Sequence, residues 1–228
     1  MESPFTLDPS WDFLNHGSFG ACPRVVQEEQ ASLRRRLEDQ PVLFLDSEYE
    51  ARLDVARQAL AAFVGADPEG LAFVPNATTG VNAVVRWYPL RAGDAVLVTD
   101  HAYNACRNAL DDAAERGGAR VSVARVPFPL ADPGEVVEAI LAAAVPGTRL
   151  ALIDHVTSPT GLVLPVGEIV QALQSRGIDV LVDGAHAPGM VPLDLRALGA
   201  AYYTGNCHKW MCAPKGSAFL WVREDRRD

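Results

Sequence analysis

The 228-residue chain has no apolar run approaching the about 20 residues that a membrane-crossing helix needs, so no membrane span is expected. It is also short of positive charge. Twenty Lys and Arg stand against 29 Asp and Glu, a formal net charge of −9. A surface of that sign repels a phosphate backbone, which argues against nucleic acid as a partner. The run Arg34-Arg35-Arg36 is flanked by Glu28, Glu29, Glu38 and Asp39 and reads as a solvated helix face. Cysteine is scarce. Cys22, Cys106, Cys207 and Cys212 form no paired CxxC framework, so a disulfide scaffold is not expected and the thiols read as reduced, in a cytoplasmic protein. The opening MESPFTLDPSWDF lacks the basic and apolar regions of a secretory leader.

What is present concentrates between Val180 and Val222. One apolar run ends in Asp183 and a turn of small residues follows; a second run ends in Thr204, with Lys209 just beyond it. Both runs have the length and β-branched content of buried strands. Asp183 and Lys209 then sit at carboxyl ends of strands, where open α/β sheets place their ligands. An isolated strand-end Asp usually caps a turn, and an isolated Lys is usually solvated. Here Lys209 is flanked by His208, Trp210, Met211 and Cys212, with no other full charge before Lys215. An apolar setting lowers an ammonium's pKa, which is what Schiff-base chemistry needs. A strand-end carboxylate is what a pyridinium nitrogen needs as its partner.

The rest of the chain alternates between the two periodicities. Helices are expected from Pro23 to about Gln40, over Ser47–Val64, after Asn76, and over Asn104–Arg116, Gly134–Val145 and Val166–Arg176. Strands are expected at Leu71–Pro75, Ala95–Thr99, Arg120–Val126, Arg149–Val156, Ile178–Val182, the run ending in Thr204, and Ser217–Val222. About seven strands alternating with helices define an α/β fold, three layers around a mostly parallel sheet. Asn76-Ala77-Thr78-Thr79 opens a helix with small hydroxyl and amide side chains, either as an ordinary cap or as a phosphate cradle at the positive end of the helix dipole.

Four segments in order, LNHGSFG, NATTGVN, DGAHAPG and TGNCHKW, resemble the class V aminotransferase family of pyridoxal-phosphate (PLP) enzymes, fold type I, in its isopenicillin N epimerase branch. The resemblance runs from about Phe13 to the C-terminus. It implies pyridoxal 5′-phosphate as cofactor, Lys209 as the Schiff-base lysine and Asp183 as the partner of the ring nitrogen. It places His186 and Ser158 at the phenolic oxygen. It gives the phosphate to Ala77, Thr78 and Thr79, joined by Thr204 or Asn206 and by His208. The family's usual paired histidines give way to His101-Ala102, so Tyr103 takes the stacking ring and a catalytic role on the opposite face. Asn15, His16 and Gly17 fall on a segment that reaches across the active-site mouth, towards the substrate. An amino-acid-type small-molecule substrate and a homodimer are further implications. The organisation expected is an N-terminal segment and helix over 1–45, then the PLP-binding large domain over 46–228. The family's smaller C-terminal domain has no counterpart, which suggests a truncated chain. The alternatives are a C–S lyase of a sulfur-containing amino acid and an inactive remnant of the fold. A cysteine desulfurase fits less well, since neither Cys207 nor Cys212 matches its catalytic cysteine. A metalloenzyme using His101, His155, His186 and His208 with Asp154 or Asp183 is disfavoured by the spacings.

Overall fold

The structure, a computed structural model, describes residues 3–227. Among these, seven strands form one sheet: β1 (Leu71–Val74), β2 (Ala95–Thr99), β3 (Arg120–Ala124), β4 (Thr148–Asp154), β5 (Asp179–Asp183), β6 (Tyr202–Asn206) and β7 (Ala218–Val222). Their spatial order is β1-β7-β6-β5-β4-β2-β3. From β3 through β2, β4 and β5 to β6 every pairing is parallel. β7 runs antiparallel to both β6 and β1. The helices are α1 (Arg24–Asp39), α2 (Tyr49–Val64), α3 (Ala77–Trp87), α4 (Asn104–Gly117), α5 (Gly134–Ala143), α6 (Val166–Gln174) and the short α7 (Leu195–Leu198). The expected α/β architecture, helices on both faces of a mostly parallel sheet, is therefore the observed one.

Strand pleating sorts the core into two halves, because successive residues point to opposite faces. Ile153, Val182 and Tyr203 pack with α2, α5 and α6 through Leu60, Val64, Ile140, Ile169 and Leu173. Leu152, Leu181 and Tyr202 pack with α3 and α4 through Val81, Val84, Cys106 and Leu110. β2 is buried at every position, which is why it reads as an unbroken apolar run rather than an alternating one.

Boundaries differ from expectation where side chains intervene. β3 stops at Ala124 instead of Val126, because the Val126 N–H is taken by Asp100 Oδ1 at 3.0 Å. The second helical stretch starts at Pro41 rather than Ser47 and passes through a wider π-type turn, Leu43–Glu48, before α2. Proline suits a first helical turn, where its missing N–H costs nothing.

Helix and sheet meet closely at Gly80 of α3. A Cβ there would lie 2.3 Å from Thr204 Oγ1, so only glycine lets α3 sit directly on β6. That approach fixes where the first turn of α3 meets the ends of β5 and β6.

Candidate active site

A cleft of about 940 Å³ opens at the carboxyl ends of the parallel strands. It is lined by Asn76, Ala77, Thr78 and Thr79 from the start of α3, Tyr103 from the turn before α4, Ser158 after β4, Asp183 and His186 after β5, and Asn206, His208 and Lys209 after β6. Gly17 closes one side from the N-terminal segment. Topology accounts for the convergence, since parallel strands deliver all their following loops to one edge.

Asp183 ends β5 and is 3% exposed. Its Oδ1 accepts from the Ala185 N–H at 3.0 Å, while Oδ2 is buried without a hydrogen-bond partner. Burial pushes its pKa up, against the Cys106 thiol, the Ala185 N–H and the charge of Lys209. Lys209 lies beyond β6, its Nζ donating to His186 Nε2 at 3.0 Å. Burial lowers the amine below the ordinary lysine value, while Asp183 and then Cys106 pull it back. Burial, then the Lys209 charge, takes His186 down to about 4, so its imidazole is neutral and accepts from the amine. Lysine and carboxylate thus face one cleft and each feels the other's charge.

The start of α3 is strapped to β6. Asn76 caps it, Oδ1 accepting from the Thr79 N–H at 2.8 Å, and Asn206 Oδ1 accepts from the Ala77 N–H at 2.9 Å. Asn206 thus works as a second cap. Thr204, one pleat further in on the same face, is fully buried and does not open on the cleft; its Oγ1 donates to the Phe219 carbonyl at 2.8 Å. His208 lines the cleft with Nδ1 donating to the Ser217 carbonyl at 2.8 Å.

The N-terminal segment seats on the lysine turn. The Gly20 N–H donates to the His208 carbonyl at 3.1 Å, and Lys215 Nζ donates to the Gly20 carbonyl at 2.5 Å. Of the three residues expected at the substrate, Gly17 lines the cleft, with Ser18 and Phe19 beside it. His16 turns away, its ring against Phe13 and Trp210. Asn15 closes its own turn, Oδ1 accepting from the Ser18 N–H at 3.0 Å. Sequence reasoning missed Asn82, Arg86 and Lys215 as cleft-lining residues, and it named Asp154 only as a ligand of the disfavoured metalloenzyme. Helical spacing from Thr78 points to Asn82, which is one turn on and donates to the Thr78 carbonyl at 2.9 Å.

The donor set fits pyridoxal 5′-phosphate. Asp183 lines the cleft, and its Oδ2 is a buried acceptor without a donor. A protonated ring nitrogen is the kind of donor that would satisfy it. A part-buried amine stands on the same cleft, and the positive end of α3 with the Thr78 hydroxyl suits a phosphate.

Comparison with known proteins gives the family. Residues 14–228 match the family described as Aminotransferase class-V, and the chain belongs to that family. It is 40% identical over 220 residues to isopenicillin N epimerase of Streptomyces clavuligerus, covering 96% of this chain and 55% of that protein. It is 42% identical over 224 residues to that of Amycolatopsis lactamdurans, covering 97% and 56%. A probable chloroplastic L-cysteine desulfhydrase of Arabidopsis thaliana is 33% identical, with 98% and 50% covered. Among solved structures, the cystine C–S lyase C-DES in complex with cysteine persulfide superposes with a TM-score of 0.87 at 29% identity, over 94% of this chain and 57% of that one. The chain spans about half the length of the curated relatives it matches.

Proposed function

We propose that this chain carries the cofactor-binding part of a pyridoxal-phosphate enzyme that removes the α-proton of an amino-acid-type substrate, of the isopenicillin N epimerase kind. The observation that carries the reading is that Asp183, whose Oδ2 is buried and unpartnered, lines the same cleft as the part-buried amine of Lys209. When bound, the cofactor supplies an aldehyde for an amine and a ring that takes up the electron pair left at a deprotonated carbon.

The chain's own residues do the rest. Asp183 holds a proton on the ring nitrogen by charge, in surroundings that exclude water. Lys209 anchors the cofactor and, when its amine is free, takes the α-proton; burial keeps that amine closer to neutral pH than an exposed lysine. His186 accepts from Nζ and aims it. Thr78 and the α3 terminus hold the phosphate. Tyr103 and Ser158 line other parts of the cleft, where Tyr103 would stack on the ring and return a proton from the opposite face. Gly17, with Ser18 and Phe19, bounds the substrate side.

A homodimer belongs to the same proposal. In its support, α1 and the π-type turn after it bury none of their residues, and Val42 and Leu45 are left exposed.

The test is reduction with borohydride after loading with pyridoxal 5′-phosphate, followed by peptide mass mapping. The adduct is expected on Lys209 and is absent from Lys209→Ala, in which α-proton removal falls by about 10²–10⁴. An adduct elsewhere, or none, overturns the assignment.

A C–S lyase is the second reading, supported by the likeness to L-cysteine desulfhydrases and to a cystine C–S lyase. Sulfide release from cysteine or cystine without inversion of the recovered substrate would favour it; inversion without sulfide would favour the first.

A further inference from the structure

The proposed chemistry uses one of two acidic groups at the floor of the cleft. Asp154 ends β4 as Asp183 ends β5, and the two are partners in parallel register. Register partners on neighbouring strands lie about 4.8 Å apart, with side chains on the same face. Asp154 is also 3% exposed, and its Oδ2, like that of Asp183, is buried without a partner. Two ionised carboxylates cannot share such a place cheaply, because each is desolvated and each repels the other.

A single proton relieves the repulsion. A protonated carboxyl is a neutral donor, so one proton removes one of two adjacent charges and gives the pair an O–H where it had only acceptors. We infer that Asp154 and Asp183 form a dyad carrying one proton between them, Asp154 holding it so that Asp183 alone presents negative charge to the cleft. Asp154 is then a positioning residue. It keeps Asp183 ionised and oriented towards the cleft, where the proposed function places the cofactor's ring nitrogen, and it rests on that reading only for its purpose.

The surroundings decide which partner keeps the proton. Burial raises Asp183 as well, but the Cys106 thiol on α4, the Ala185 N–H and the charge of Lys209 all favour its charged form. Burial and then the neighbouring Asp183 charge drive Asp154 up to about 8, against the backbone N–H groups of Tyr103 and of Asp154 itself and with no cation among the described residues to oppose them. His155 points to the other face, bonded to Tyr203, whose hydroxyl lies near Asp183. His186 is neutral and faces Lys209.

The test needs no cofactor. For a carboxyl whose folded value lies above its unfolded one, stability falls as pH rises between the two and is level above the folded value. The unfolded histidines are half titrated near pH 6.5 and add a slope of the opposite sign there, so the dyad is read as the difference between the wild-type chain and Asp154→Asn, which holds an N–H donor in place of the O–H, from about pH 6.5 to about 8. In the cofactor-free chains, the ratio of the wild-type to the variant folding equilibrium constant should drop by up to about tenfold per pH unit across that window, the slope of one proton. A merely structural role would shift the level and leave that ratio independent of pH, and that result overturns the dyad. Should the variant fail to fold, infrared difference spectra of the wild-type chain across the same window must show a protonated carboxyl band being lost; its absence overturns the proposal equally. Loss of cofactor binding with the slope intact would sink the proposed function and leave the dyad standing.

Discussion

Gly80→Ala tests the strap between α3 and β6 that positions the phosphate end of the cleft. The new methyl would lie 2.3 Å from Thr204 Oγ1 and 2.9 Å from Thr204 Cβ. Thr204 cannot easily yield: it is fully buried, β-branched, and held by its hydrogen bond to the Phe219 carbonyl at 2.8 Å. Overpacking of this kind costs roughly 1–3 kcal/mol, and contact this close lies at the upper end. Replacing glycine inside a helix returns about 1 kcal/mol, which leaves a net loss of about 2 kcal/mol, or roughly 4–8 °C in Tm for a chain of this length. Thr204→Ala alone should cost about 1 kcal/mol for the hydrogen bond. In the double variant the methyl occupies space that the hydroxyl has vacated, so the combined loss should fall short of the sum by about 2 kcal/mol. Denaturant unfolding of the four proteins measures that coupling directly. Affinity for pyridoxal 5′-phosphate should fall in Gly80→Ala, because the first turn of α3 is lifted from the sheet, and recover in part in the double variant. Losses that add within about 0.5 kcal/mol would show that the close approach does not set the position of α3.

Two other perturbations read different parts of the molecule. Burial takes His155 down to about 4, while in the unfolded chain it titrates near 6.5, so stability is fully present above about pH 6.5 and drains away towards pH 4, by roughly 3 kcal/mol for this group. His155→Gln should lose that share of the acid slope; a wild-type slope between those pH values in the variant would refute the assignment. Tyr103→Phe should lower inversion at the substrate α-carbon at least about tenfold while leaving the borohydride-fixed adduct on Lys209, and an unchanged rate of inversion would remove Tyr103 from catalysis.

How much could be read without coordinates varies from residue to residue. Ala95–Thr99 was legible as a strand because both faces are buried and every position is apolar or β-branched. Asn76 was legible as a cap because the residue type carries its own hydrogen bond. The role of Asn206 was not, since its partner, the Ala77 N–H, lies 129 positions away along the chain. Thr204 and Asn206 look equivalent in sequence, yet their places along β6 put one under Gly80 and the other at the cleft edge. Asp154 entered only as a ligand of the disfavoured metalloenzyme; the β4–β5 register is what sets it against Asp183.

By itself, then, the order of residues determined the alternation of strands and helices, the turn that follows Asp183 and the apolar setting of Lys209, because period, capping and local polarity act over a few positions of chain. The tertiary structure decided which polar groups share a cavity, which lose their water, and which are left with an orphaned oxygen. Those outcomes depend on strand order and on helix–sheet distance, and both are set by packing between segments far apart in the chain.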